Sequence, residues 1–431
     1  MQYLWTNDIP PFPERKLSGD IHTEVCVIGG GMAGLLCAAR LKECGLDTVV
    51  AEARLPGEGI TKGTTAVLTA QHDLLYCQMI KKFGWDRAAE YLHANLDALQ
   101  RFRQMAETID CDLETRPSVM YSRTGQDHLK EEAQVLQKLG FPARYTTKPG
   151  LPFPTVDTVI YPEMAQFHPL RFLQGLAKNL NVYTHTFVRR LEGTTAYTDN
   201  GRIHARCVIV ATHFPFVNRR GLYFMKQFQQ RSYVMAYRNA DFPACTAVDA
   251  GPGLYFRTYR DLLLIGGGDH RTGQKGDGYT VIEDCARRYF PQAREAFRWA
   301  NQDCVTLDSI PYIGPYSPTM PNVYVATGFN LWGMTTSMAA ADILASQIQG
   351  KPHPYAAVFD PQRRILHPQL FRNLGVTLGS FLFPTLRRCP HLGCALHYNK
   401  AEHSWDCPCH GSRFTEDGAL IDNPAMKNAK I

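Results

Sequence analysis

Two short boxes near the C-terminal end hold residue types that bind metal: Cys389-Pro-His391-Leu-Gly-Cys394 and Cys407-Pro-Cys409-His410-Gly-Ser412, with fifteen residues between His391 and Cys407. Cys389 with Cys407 and His391 with His410 supply two thiolates for one iron and two imidazoles for the other iron of a [2Fe–2S] cluster. Zn²⁺ accepts the same Cys₂His₂ set, but it leaves Cys394, Cys409 and the Gly411-Ser412 close of the second box without a task. A third reading, buried thiols beside hydrogen-bonded histidines, explains none of the spacing.

A second chemistry sits at the other end. The apolar run Glu24–Ile28 leads into Gly29-Gly-Gly31-Met-Ala33-Gly34, and Leu35–Leu41 continues with helical period. Val49-Val-Ala-Glu52 then supplies a second strand ending in an acid about twenty residues on, which is the dinucleotide-binding context. Gly29 makes the tight turn, Gly31 lets backbone approach a pyrophosphate, Gly34 allows close helix packing, and the helix N-terminus attracts the anion. The alternative is a glycine-rich strand-to-helix turn with no ligand. Asp261-Leu-Leu-Leu-Ile-Gly266-Gly-Gly is no second site, because a polar turn and not an apolar helix follows it. With one nucleotide site instead of two, electrons are expected to enter from an organic substrate.

These groups need a large frame. The chain has 431 residues, 45% of them hydrophobic, and a net charge of +6 without a Lys/Arg block, which allows two or three domains and excludes a nucleic-acid role. The first residues lack the basic and apolar stretches of a signal peptide, so a cytoplasmic address is expected, and the other nine of the thirteen cysteines read as free thiols. Period predicts helices over 76–109 and 128–139, a proline-broken loop over 149–162, a helix opening at His168-Pro169, and strands over 182–191, 195–197, 203–205 and 207–212. Strands are expected through 222–275. Residues 351–388 lose periodicity, gather prolines and arginines, and contain the apolar run Leu374–Phe383. That run is too short to span a bilayer and is expected to pack onto the preceding domain, with peripheral membrane contact as the alternative.

Several pieces occur in a telling order: the glycine motif with Glu52, Gly63-Thr64-Thr65, His168-Pro-Leu-Arg, Val210-Ala-Thr212, Leu307-Asp-Ser-Ile-Pro311-Tyr-Ile-Gly314, and Gly328-Phe-Asn-Leu-Trp332-Gly333-Met334-Thr335. In this, residues 22 to about 350 resemble the FAD-dependent oxidoreductases of the D-amino-acid, glycine and sarcosine oxidase superfamily. Residues 385–431 resemble a fused Rieske [2Fe–2S] domain, in which Cys394 and Cys409 stand where the cytochrome bc type has a disulfide. The resemblance implies an α/β fold: a Rossmann-like FAD-binding domain (22–80, 165–215, 305–350) with an interleaved antiparallel-sheet substrate domain (81–164, 216–304). A linker (351–385) and a small all-β Rieske domain (386–431) complete it. It implies FAD pyrophosphate at Gly29, Gly31, Ala33 and Gly34, ribose at Glu52, isoalloxazine at Thr64 and Thr65, and adenine at the backbone of Val188. Ala211 and Thr212 would line the nucleotide crossing, and Gly328, Gly333, Met334 and Thr335 the flavin pyrimidine. No cysteine stands at the flavin-linking position and His72 is set aside, so FAD is expected to be non-covalent.

Amino-acid-oxidising relatives carry an arginine before Pro-Tyr-Ile-Gly that pairs with the substrate carboxylate. Ungapped counting from Pro311 places Asp303 there. An acid repels a carboxylate, so an amine or N-alkylated amine is expected, with Arg257 as a second anchor candidate or else a solvated strand residue. The expected reaction is hydride transfer from a small C–N substrate to FAD, then single electrons to the cluster and on to an unknown acceptor, a protein or a quinone. The alternatives are an oxygen-using oxidase with a regulatory Rieske domain and a non-catalytic redox relay or sensor. The two cofactor sites lie far apart in the chain, and loss of the cluster is expected to leave flavin bound.

Overall fold

Four consecutive buried residues, Val25–Ile28, end the strand Ile21–Ile28, the pattern of a parallel strand covered on both faces. In the computed structural model, which describes residues 2–126, 128–218, 220–364 and 366–431, this strand is central to an eight-stranded sheet. Thr48–Ala51 pairs parallel on one side and Gly201–Val210 on the other, with Asn181–Tyr183 and Val323–Thr327 continuing outward, both parallel. Chain order therefore reverses at Ile21–Ile28, and ligands bind beyond the carboxyl end of such a strand. Helices Met32–Glu43 and Gly333–Ile348 pack together against this sheet.

A nine-stranded sheet stands beside it. Its long members Gln227–Arg238, Leu262–Arg271 and Arg294–Thr306 pair antiparallel, and Thr246–Asp249 joins Glu114–Ser122 in parallel. Three expectations need correction here. Part of the expected loop is the strand Asp157–Gln166; its Pro162 falls where the register against Arg116 and Ser118 shifts, and an irregularity of this kind tolerates proline. The glycines 266–268 lie inside Leu262–Arg271 rather than ending it, because a Cβ on Gly266 would sit 1.9 Å from the Tyr255 ring. Asp269 and Arg271, read as turn residues, are therefore strand residues. The single helix expected over 76–109 is two, Tyr76–Phe83 and Trp85–Ala106, divided at Gly84 with φ 88°.

The linker holds a helix, Pro368–Leu382, whose entry is capped by the His367 ring. Leu374, Leu378, Phe381, Leu382 and Phe383 are exposed, which corrects the expectation that this run packs onto the preceding domain. Asn373 and Ser380 take the inward positions instead.

The C-terminal sheet has four short antiparallel strands, His397–Asn399, Ser404–Asp406, Arg413–Thr415 and Leu420–Asp422. Four cysteines, 389, 394, 407 and 409, make up much of its small core. A core this small needs cluster binding and docking to hold it. A buried ion pair docks it, Arg231 of the nine-stranded sheet with Glu402, and within the small domain Arg413 reaches Glu402 at 2.7 Å, Asp406 at 3.1 Å and Asp422 at 3.1 Å.

Candidate functional site

A cavity of about 540 Å³ runs from the carboxyl end of Ile21–Ile28 to the nine-stranded sheet. At its entrance the glycines divide their tasks. Gly29 has φ 111°, and a Cβ there would lie 2.5 Å from the Ala211 carbonyl; on Gly34 it would meet the Gly29 carbonyl at 1.8 Å. A Cβ on Gly31 would meet only Thr61 Oγ1, at 3.5 Å, so its backbone stays open to the cavity. Glu52 lines the cavity and accepts from Gly30 N at 2.6 Å and Arg54 N at 2.8 Å. Burial raises its pKa against those two hydrogen bonds, and each oxygen keeps a lone pair for a ribose hydroxyl. Ala33, Thr64, Thr65, Val188, Ala211, Thr212, Gly333 and Met334 also line the cavity.

Three expected contacts lie elsewhere. Gly34 packs helix on strand, Gly328 (φ 72°) packs against Thr306, and Thr335 Oγ1 bonds the Thr69 carbonyl at 3.0 Å and His72 Nε2 at 3.3 Å. The other nitrogen of His72 meets the Tyr91 hydroxyl at 2.7 Å, so its ring serves the core. The loop Gly63–Thr65 and the first turn of Gly333–Ile348, which no side chain caps, border the same cavity, whose glycine-lined entrance fits a dinucleotide. A positive helix end there favours negative charge on a bound ring.

That loop is held from behind. Trp299 Nε1 donates to the Gly63 carbonyl at 2.9 Å and Trp5 Nε1 to the Thr64 carbonyl at 2.7 Å. Arg257 donates to the Thr65 carbonyl, to the Ala66 carbonyl at 2.9 Å, to the Phe167 carbonyl at 2.9 Å and to Gln166 Oε1 at 3.1 Å. At 1% exposure Arg257 is no solvated strand residue. Its guanidinium is committed to tying Thr65 and Ala66 to Gln166 and Phe167.

Asp303 does line the cavity. Its two oxygens accept from Cys304 N at 2.7 Å and Leu331 N at 2.8 Å, so it fixes the loop that enters Gly333–Ile348, where Asn330 and Leu331 have φ 55° and 71°. Burial raises its pKa, with His213, 3.5 Å away, and the two backbone donors opposing. Sequence reading missed two further carboxylates, Asp73 and Asp269, which open onto the same cavity between Gln71, Tyr255 and Trp332. Both side chains are exposed to the cavity, and desolvation by the surrounding protein raises Asp73 against a hydrogen bond from Trp332. Burial and then the charge of Asp73 push Asp269 up to about 7, as expected of two carboxylates that share one enclosure.

The cluster boxes come together. The imidazoles of His391 and His410 lie 4.9 Å apart, and the Nδ1 atoms of both are buried with no hydrogen-bond partner. His391 Nε2 donates to Asn218 Oδ1 at 2.8 Å, which leaves Nδ1 unprotonated in the neutral ring. Burial holds both rings neutral, His391 at about 3 and His410 at about 4, the form that ligates metal. With the buried thiols of Cys389 and Cys407 they fit a [2Fe–2S] cluster. The sulfurs of Cys394, Cys407 and Cys409 lie within 4.8 Å of one another, and Cys394 and Cys409 are unbonded.

The two sites share a loop and a wall. After strand Gly201–Val210 the chain lines the cavity with Ala211, Thr212 and His213. Phe214 then stands edge-on to His391 at 6.4 Å and His410 at 6.2 Å, and Asn218 holds His391. His213 Nε2 lies 3.1 Å from Gln229 Oε1, whose amide donates to the His410 carbonyl at 2.9 Å. From the other side, Leu420–Asn423, Ala425 and Met426 line the cavity beside Glu52 and Arg54. Asn423 donates to the Thr212 carbonyl at 2.6 Å and the Phe214 carbonyl at 2.9 Å, and Arg54 donates to the Ile421 carbonyl.

Residues 24–347 match the family model for FAD dependent oxidoreductase, and residues 380–431 match that for the Rieske [2Fe-2S] domain. The chain is 30% identical to the Bacillus subtilis Rieske 2Fe-2S iron-sulfur protein YhfW, over 99% of its own length and 96% of that protein's. It is 23% identical to gamma-glutamylputrescine oxidoreductase of Escherichia coli, over 80% of this chain and 88% of that one. In fold it is similar to glycine oxidase from Geobacillus kaustophilus, with a TM-score of 0.68 and 19% identity over 80% of this chain and 99% of that one.

Proposed function

The chain belongs to the FAD dependent oxidoreductase family, with a Rieske [2Fe-2S] domain at its C-terminal end, and from that premise we propose that it oxidises a cationic amine and passes the electrons from flavin to cluster within one molecule. The observation that carries this is the loop Ala211–Asn218, which borders the flavin cavity with its first residues and both cluster histidines with its last. Bound FAD accepts a hydride and releases electrons singly, and the cluster carries one electron at a time.

The chain's own residues supply position and charge. Trp5, Trp299 and Arg257 hold Thr64 and Thr65 against the ring. Asp303 sets the entry of Gly333–Ile348, whose positive end favours the reduced ring. Asp73 and Asp269 give the substrate end negative charge that suits an ammonium group, and Asp269, poised near neutrality, is the carboxylate to hold the proton that the amine gives up. His391 and His410 through Nδ1, with Cys389 and Cys407, would hold the cluster. The name of the Escherichia coli relative, an oxidoreductase of a substituted diamine, supports the amine reading.

The test is an anaerobic screen of di- and polyamines, N-alkylated amines and α-amino acids against the purified holoprotein. Amines should bleach the flavin fastest. Faster bleaching by free amino acids would overturn the substrate class.

A further inference from the structure

Helices at a protein surface turn their apolar stripe inward; Pro368–Leu382 does the reverse. Its inward positions include Asn373, whose Oδ1 accepts from Arg271 at 2.7 Å, and Ser380, whose Oγ accepts from Ala395 N at 2.9 Å. Its outward positions, three or four residues apart, are Phe371, Leu374, Leu378 and Phe381 with Leu382, from 38% to 84% exposed. Leu366, Phe383, Leu386 and Leu392 extend the patch, so residues 366–392 hold nine of the sixteen exposed large apolar side chains among the described residues. Along the chain its charge has one sign. Residues 361–401 contain five arginines and one lysine and neither Asp nor Glu, and Arg364, Arg372 and Arg387 are exposed.

We propose that Pro368–Phe383 is an interfacial anchor that lays this stripe into the surface of an anionic phospholipid bilayer, with the exposed arginines at headgroup level. Apolar residues on one face beside basic residues make the pattern of a helix that lies in the membrane plane. Its fifteen residues make about 22 Å of helix, short of the roughly 30 Å hydrocarbon core, and no helix among the described residues is long and apolar enough to cross a membrane. A second copy is a poorer occupant, because a two-fold contact would set each basic rim against itself. Leu392 belongs to the first cluster box, and Arg271 ties Asn373 to the carbonyls of Pro408 and Cys409 in the second. The anchor therefore holds the cluster loops at the lipid surface.

The experiment is co-sedimentation of the holoprotein with vesicles of phosphatidylcholine alone and of phosphatidylcholine with phosphatidylglycerol, alongside sedimentation velocity without lipid. Binding to the anionic vesicles is expected, about a hundredfold tighter than to the neutral ones. Phe371→Ser with Leu378→Ser should weaken it about a hundredfold while the flavin and cluster spectra stay those of the parent. Arg372→Gln should weaken it about fivefold, on anionic vesicles only. Failure of the parent to bind anionic vesicles, or equal binding by the double variant, would overturn the proposal. So would a lipid-free dimer, or a stoichiometric complex with an acidic protein, that the double variant abolishes.

Discussion

Two groups of carboxylates, one at the domain joint and one in the cavity, differ in their partners. At the domain joint, Glu402, Asp406 and Asp422 surround Arg413 and Arg231; burial opposes ionisation of Asp422, yet Arg413, Arg231 and Arg54 hold it below the usual carboxylate range. In the cavity, Asp73 and Asp269 have each other for company, and Asp269 rises to about 7. The same side chain is a structural tie where arginine neutralises it, and is raised toward neutrality where its partners are the uncharged Trp332 and Gln230. Their effects on stability have opposite signs. The contribution of Asp422 is present above the unfolded carboxylate value and is lost as pH falls through its lowered one. That of Asp269 is complete below the unfolded value and is lost as pH rises toward about 7.

Breaking the paired side has the largest expected effect. Arg413→Met leaves Asp406 and Asp422 without their ion-pair partner and Glu402 with Arg231 alone, and should cost about 3–5 kcal/mol, read as a lower thermal midpoint and early loss of the cluster spectrum. An unchanged midpoint would mean the joint is held by something else. Next comes the shared wall. Asn423→Ala removes the two hydrogen bonds to the Thr212 and Phe214 carbonyls, and at about 1 kcal/mol each FAD should dissociate up to about thirtyfold faster, followed by flavin fluorescence. By the same reasoning Cys407→Ser, which removes the cluster, should speed FAD release rather than leave flavin retention as it was.

On the unpaired side, Asp269→Asn should raise KM for a cationic amine about tenfold at pH 8 and little at pH 6, the difference one charge makes in an enclosed site. The parent's affinity should improve as pH rises through about 7, and the variant should lose that rise. The smallest effect is expected from Asp303→Asn, since both oxygens of Asp303 already accept backbone donors. A KM change below about threefold would fit positioning, and a larger one than at Asp269 would move the cation site to Asp303.

The features legible in the sequence are those whose demands are local. Gly34 answers to the Gly29 carbonyl five residues back and Gly29 to its own positive φ, and each cluster box carries its two ligands within a few residues of each other. Asp73 and Asp269 meet from distant segments, and Asp269 stood in a stretch whose glycines and polar residues read as a turn because the ring of Tyr255, which fills the space over Gly266, leaves no trace in that stretch. Composition marked Leu374–Phe383 as apolar but carries no information on which way the stripe points. Arg257 looked like a ligand anchor because its partners are backbone carbonyls, which no residue type announces.

The central claim is that electrons cross from cavity to cluster inside one chain. It is tested most directly by anaerobic single-turnover reduction with a bleaching amine, followed by flavin absorbance and by freeze-quenched spin resonance of the reduced cluster at several protein concentrations. The account predicts a cluster signal that follows flavin bleaching at a rate independent of protein concentration. A cluster that stays oxidised beside reduced flavin, or a rate that rises in proportion to protein concentration, would contradict it.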